Sequence, residues 1–205
     1  MPIIIGGAGG IGSWLTLFLS RMLPPQSHLI IYDFDVVEEI NIAGQLFRTS
    51  DVGRAKVTAI KEIAHDFSGY ENIQKQAYRY DSESLRSPVM FSAFDNMKAR
   101  KDMFENWMKE AEVYPNSIFV DGRLNAEQFQ VYYVTLENAL VYEKDHLFDD
   151  KEVDDVNCSY RQTTHFAAAI AAKMVQGFTA FLDDTYILPF RYEEIGPLFL
   201  TDVKN

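Results

Sequence analysis

Apolar and polar positions divide the first half of the chain into short buried runs alternating with longer segments of helical period. Ile3 to Ile5 is a β-branched run that ends in glycine, which predicts a buried strand. Ile11 to Leu23 follows as an apolar helix, closed by Pro24 and Pro25. His28 to Tyr32 predicts a second buried strand, ending at Asp33. Strand, glycine turn, helix and strand within about 30 residues make a βαβ unit, whose crossover is right-handed in nearly all proteins.

Val57, Ile60, Ile63, Ala64 and Phe67 recur at helical spacing and predict a helix over Ala55 to Phe67. A weaker strand pattern covers Asn72 to Tyr78, and Val89 to Phe94 predicts a strand ending at Asp95. A helix over Asn96 to Ala111 and a strand over Ser117 to Val120, ending at Asp121, follow. In an open parallel sheet the ligand crevice lies beyond the carboxyl ends of the strands, so Asp33, Asp95 and Asp121 are expected to face one site. Phe129, Val131 and Tyr133 alternate within Glu127 to Thr135, which predicts a long strand of antiparallel type. Glu143 to Asn157 holds seven acids against two lysines and predicts an exposed crossover loop, within about 139–160. Thr163 to Leu182 is nearly all apolar and predicts a buried helix; Tyr186 to Arg191 and Leu198 to Thr201 predict a terminal hairpin. The expected fold is α/β and Rossmann-like, with a mostly parallel sheet, helices on both faces and an antiparallel C-terminal extension. A single domain over residues 1–205 is expected, since no repeat and no second core is evident.

Composition narrows the chemistry. With 47% apolar and 24% charged residues the chain has the make-up of an ordinary globular domain. Cys158 is the only cysteine, which excludes an internal disulfide and a four-cysteine zinc site, so no zinc is expected. A net charge of -11 with no basic run argues against nucleic acid and favours a basic protein or a metal-bound anion as partner. The absence of an uninterrupted apolar run of about 18 residues predicts no membrane span. The apolar start meets Gly6 and Gly7 too early for a signal peptide, so a cytoplasmic protein is expected. The four histidines, His28, His65, His146 and His165, show no metal spacing.

GAGGIGS, Gly7 to Ser13, sits between a predicted strand and a predicted helix. There Gly7 would make the turn, Gly9 would admit phosphate to the backbone amides, and Gly12 would let helix and strand pack closely. Asp33 lies 21 residues after Gly12, where a carboxylate can accept hydrogen bonds from ribose hydroxyls. Glycines alone suit NAD as readily as ATP.

Three further stretches separate these: DFDVVEEINIAGQLF from Asp33 to Phe47, DVGRAK from Asp51 to Lys56, and FDNMKAR from Phe94 to Arg100. With the glycine loop they resemble, in order, the motifs of the ThiF/MoeB/ubiquitin-activating superfamily, a resemblance covering roughly Ile3 to Leu182. It implies an ATP site built from Gly7, Gly9, Gly10, Gly12, Asp33, Asp35, Asn41, Gln45 and Lys56. Asp33 would hold the ribose, Asn41 and Lys56 the phosphates, and Asp95 a Mg²⁺ ion. The implied activity is adenylation of the C-terminal carboxylate of a ubiquitin-like or sulfur-carrier protein ending in Gly-Gly. The implied assembly is a homodimer or a pairing with a related subunit.

The sequence departs from the family pattern in places. The family arginine three residues after the motif asparagine is Gly44 here, with Arg48 and Arg54 near enough in sequence to stand in. The first predicted strand begins almost at Met1, where family members commonly carry a helical arm that lends an arginine to a neighbouring subunit. Arg100 is expected to support Asp95 or to pack on the surface. Asp95 has a second possible role, as cap of the helix beginning near Asn96. Cys158, just before the apolar helix, resembles the family cysteine that receives the activated carrier or bears sulfur, although a free cysteine also serves as a small buried hydrophobe. The alternative to an activating enzyme is a non-catalytic subunit of the same superfamily that binds the carrier or completes a partner's site.

Overall fold

A computed structural model describes residues 2–125, 128–148, 164–183 and 187–195. Seven strands form one sheet in the order β3-β2-β1-β4-β5-β6-β7. The strands are β1 (Pro2–Gly6), β2 (His28–Tyr32), β3 (Ile73–Gln76), β4 (Val89–Ser92), β5 (Ile118–Asn125), β6 (Gln128–Val134) and β7 (Arg191–Ile195). The first five run parallel to one another, and β6 and β7 join antiparallel. This is the expected Rossmann-like α/β sheet with an antiparallel extension.

Helices α1 (Gly10–Met22), α2 (Lys56–Ser68), α3 (Met97–Ala111), α4 (Ala139–His146) and α5 (Thr164–Leu182) cover both faces. The period of two along β1 shows why. Ile3 and Ile5 enter the core beneath α1, α2 and α5, with Leu15, Ile60 and Ile170. Ile4 enters the opposite core beneath α3 and α4, with Phe104, Trp107 and Tyr142. A strand apolar on both faces therefore needs helices on both.

Three sequence expectations are corrected. Strand β5 runs on through Asp121 to Asn125, so this carboxylate sits mid-strand and fully buried instead of at a strand end. Part of the expected acidic loop is helix α4, anchored by buried Ala139 and Tyr142; residues 149–163, Cys158 among them, lie outside the described residues. Helix α5 is largely apolar but buries only one side, through residues including Phe166, Ile170, Met174 and Phe178. By length and composition it is also long and apolar enough to cross a membrane. Strand β7 pairs antiparallel with β6, with Gln128 opposite Ile195; the second half of the expected hairpin, Leu198 to Thr201, lies outside the described residues.

Close approach of α5 to the antiparallel strands depends on glycine. A Cβ on Gly177 would fall within the ring of Tyr133, whose hydroxyl donates to the Lys173 carbonyl at 2.7 Å. Alanine ordinarily gains up to about 1 kcal/mol over glycine inside a helix. Overpacking against a buried ring costs about 1–3 kcal/mol, so the clash should decide the sign. Gly177→Ala is expected to lower the urea midpoint without changing the slope of the transition; an equal or higher midpoint would show that the ring yields freely.

Candidate nucleotide site

The carboxyl ends of β1, β2 and β4 open into a cleft of about 1130 Å³. Its floor is the glycine loop. Gly7 has φ +89, a left-handed conformation that glycine adopts without strain, and its amide donates to Tyr32 O at 2.8 Å. A Cβ on Gly12 would overlap the Gly7 carbonyl, so the close packing expected of Gly12 is against the loop itself. Beside Gly9 only the Gln45 side chain comes near, with Nε2 at 3.9 Å from where a Cβ would stand. Helix α1 then starts with no side-chain cap and no acid in its first turn, although Gly9, Gly10 and Ile11 line the cleft. Unsatisfied amides and the positive end of a helix dipole make such a terminus an anion site.

Asp33 joins β2 to this loop. Its Oδ2 accepts from Ala8 N at 2.7 Å and its Oδ1 from Asp35 N at 2.8 Å. Burial raises the Asp33 pKa above the ordinary carboxylate value, against the opposing charge of Lys56 and those two amides. Each carboxylate oxygen has a second lone-pair site, so Asp33 can still accept from ribose hydroxyls.

Lys56 begins α2, and its position follows from a short antiparallel contact between residues 35–37 and 53–56. Val37 N donates to Arg54 O at 2.8 Å, Val36 bridges Ala55, and Lys56 N donates to Asp35 O at 3.0 Å. The contact places Lys56 Nζ 2.9 Å from Asp35 Oδ2, with the lysine buried and its partner 44% exposed. Asn41, also buried, lines the cleft and accepts from Glu38 N at 2.9 Å through Oδ1, and its amide nitrogen has no acceptor among the described residues. Gln45 Oε1 is buried without a hydrogen-bond partner.

Asp95 lines the cleft and is exposed; among the described residues its carboxylate accepts only a 3.2 Å bond from Asn96 Nδ2. It does not cap α3. Asn96 does, through Oδ1 to Ala99 N at 2.8 Å, which leaves the Asp95 carboxylate for other work. No group of three or more metal-ligating side chains occurs among the described residues. A magnesium ion ordinarily takes one or two carboxylates and completes its shell with phosphate and water, so Asp95 suits that role.

The arginines fall elsewhere than expected. Arg100 neither supports Asp95 nor lies on the surface: it is buried and bonds Asp121 and the Phe94 carbonyl. Asp121 is shared with Arg123, at 2.6 Å, and with Tyr142 OH, at 2.8 Å. It supports the far wall of the cleft instead of facing it. Arg48 and Arg54 do not replace the arginine missing at Gly44. Arg48 pairs with Asp51 and Asp66, each at 3.0 Å, and Arg54 with Asp51 at 2.9 Å and with Glu62, all away from the cleft.

Sequence reasoning missed the cleft's far wall, where Arg123, Gln130, Tyr132, His146 and Phe148 stand. Burial, with the charges of Arg123 and Arg191, holds His146 below its ordinary pKa and favours the neutral imidazole. One signal was available for Arg123: it lies two residues after Asp121, on the same face of one strand.

The model of the ThiF family matches residues 1–182. The chain belongs to the ThiF family. Among solved structures, E. coli MccB with ATP is similar at 15% identity and a TM-score of 0.68, over 95% of this chain and 60% of that one. The microcin C7 biosynthetic enzyme MccB in complex with N-formylated MccA is similar at 16% identity and a TM-score of 0.70, over 95% of this chain and 61% of the other. PaaA is similar at 16% identity and a TM-score of 0.65, over 95% and 60%. These likenesses establish the fold, and the chain spans about three fifths of the length of those proteins. No match was found among curated protein sequences.

Within this ThiF-family fold, the cluster around Asp51 gives a pH test of where the arginines act. Burial alone would raise the Asp51 pKa, but hydrogen bonds and charge from Arg48 and Arg54 outweigh it and hold the carboxyl below its ordinary value. A depressed acid stabilises the fold above its unfolded pKa of about 3.9 and loses that contribution as pH falls through the folded value. Replacing both Arg48 and Arg54 by alanine should therefore destabilise the protein at neutral pH, by an amount that shrinks below about pH 4. Nucleotide affinity should not change; a large loss of ATP binding by this variant would return one of these arginines to the site.

Proposed function

We propose that this chain is an ATP- and Mg²⁺-dependent adenylating domain that activates the C-terminal carboxylate of a peptide or small carrier protein of the ubiquitin-like or sulfur-carrier kind. The observation that carries the reading is the convergence, in one cleft, of an uncapped helix N-terminus, the Asp33 carboxylate, the Lys56–Asp35 pair and the exposed Asp95.

The chemistry asks for what these residues supply. A carboxylate oxygen of the substrate forms a bond to the α-phosphorus of ATP, the bond from that phosphorus to the bridging oxygen breaks, and pyrophosphate leaves with the electron pair. No proton moves, so no general base is needed. The barrier lies in bringing an anion to a polyanion, and the residues must neutralise and align. The α1 amides and Lys56 would hold phosphate oxygens, and Asp33 would fix the ribose. A magnesium ion at Asp95 would neutralise further phosphate charge. Capture of the activated acyl group by Cys158 belongs to the same reading; in that step the thiolate sulfur bonds to the acyl carbon and AMP departs.

A non-catalytic ThiF-family subunit is the second reading. It is favoured by Gly44 and by the engagement of Arg48 and Arg54 outside the cleft. Carrier-dependent exchange of labelled pyrophosphate into ATP separates the two. Lys56→Ala and Asp95→Ala should each slow exchange by about 100- to 1,000-fold, if these groups act as oxyanion-hole donors do. Wild-type rates in both variants, or no exchange by the wild type with any candidate carrier, would favour the scaffold. For Cys158, incubation with ATP and carrier should form an adduct that reducing thiol releases, and Cys158→Ser should form none.

A further inference from the structure

The inference concerns the cation missing at Gly44 and rests on the nucleotide-binding reading just given. The cleft is lined by six lysines and arginines, and five already have a carboxylate partner. Lys56 pairs with Asp35 at 2.9 Å, Lys98 with Asp102 at 2.7 Å and Arg191 with Glu193 at 3.1 Å, while Arg100 and Arg123 share Asp121. The sixth is Arg79, in the segment that follows β3, and it has no carboxylate partner among the described residues. Its nearest acid in sequence, Asp81, is turned into its own loop, where Oδ1 accepts from Glu83 N and Ser84 Oγ, each at 3.0 Å.

What holds Arg79 is an aromatic ring. Its guanidinium carbon lies 3.9 Å from the centroid of Phe34. Phe34 is 48% exposed at the cleft and directly follows Asp33. Stacking fixes the plane of the guanidinium by one face and uses none of the five N–H donors on its rim. A planar cation held in this way, with its donors free and no counter-charge, suits bidentate recognition of phosphate.

We propose that Arg79 supplies the missing guanidinium, binding the ATP phosphates from the β3 side of the cleft, with Phe34 as the positioning residue that holds it there. The charge absent at Gly44 is thus provided by a different element of the fold, held by the ring that directly follows Asp33.

Calorimetry on the full chain with ATP, AMP and adenosine, each with Mg²⁺, tests this. Arg79→Ala should weaken ATP at least tenfold, AMP less, and adenosine hardly at all, and should flatten the salt dependence of ATP binding. Arg79→Lys should keep part of the affinity, and Phe34→Ala should lose part of it. Unchanged circular dichroism and melting temperature would place the effect in the site. ATP affinity within twofold of wild type in Arg79→Ala overturns the proposal and leaves the nucleotide site standing. Equal losses for ATP and adenosine also overturn it, marking Arg79 as a stacking partner for the base. A wild-type chain that binds no ATP overturns the functional reading itself, and this proposal with it.

Discussion

The 2.7 Å hydrogen bond from the Ala8 amide to the Asp33 carboxylate joins two elements on which the site depends. Ala8 lies in the turn leaving β1, and Asp33 follows the last residue of β2. With this bond and the one from Gly7 N to Tyr32 O, the loop is fixed against the neighbouring strand before the helix begins. The acceptor is a side chain, so the carboxylate is drawn into a partly desolvated position and its pKa rises. The residue that holds the loop thus has a reason to gain a further donor, and ribose hydroxyls would supply one. The glycine pattern alone does not impose this coupling; it needs an acid at the end of the adjacent strand.

A second constraint is the distribution of charge. The chain carries -11, yet its cleft is lined by six basic side chains, most of them held by carboxylates. Pairing holds these cations in place at the cost of their free charge. The exposure of Asp35, at 44% beside a buried lysine, means the lysine is the fixed member and the acid the one free to turn away. Exchange of that acid for phosphate would keep Lys56 neutralised throughout, which avoids leaving a buried charge alone at any stage.

Much of this was legible in the sequence. Strands β1 and β2 and helices α1 to α3 lie within a few residues of where the periodicity places them, because local stops agree with it: Pro24 after α1, the left-handed Gly69 after α2, Asn96 before α3. The loop glycines, Asp33, Asp35, Asn41, Gln45, Lys56 and Asp95 all line one cleft, with Gly12 packed beneath it. Other features depend on partners distant in sequence. Asp121 and Gly122 have the look of a strand end, but arginines from α3 and from β5 itself neutralise the acid and let the strand continue. Helix α4 hides in an acidic run because only Ala139 and Tyr142 turn inward. Arg79 has no local signature; its ring partner is brought to it by β2 pairing with β3.

The switch from parallel to antiparallel pairing shapes the far wall of the cleft. A parallel neighbour of β5 would need a crossover whose helix covers one face of the sheet. Strand β5 instead passes Asp121 and returns at once as β6, with Gly122 opposite Val131 and Arg123 opposite Gln130. The extra length carries these residues beyond the level at which β1 and β4 end, so the extension rises as a wall beside the glycine loop. A bare Cβ on Gly122 would meet the sulfur of Met174 at 2.5 Å, so α5 lies close against that wall from behind. Asp121 offsets one of the two arginine charges from within, and Tyr132, His146 and Phe148 give the wall an aromatic lining beside Arg123. On the adenylating reading proposed above, the α1 amides would take the phosphates and a peptide end would meet the ring faces of this wall. The sheet topology would, on that same reading, set the phosphates on the glycine-loop side of the cleft and bring the substrate carboxylate in from the side of this wall.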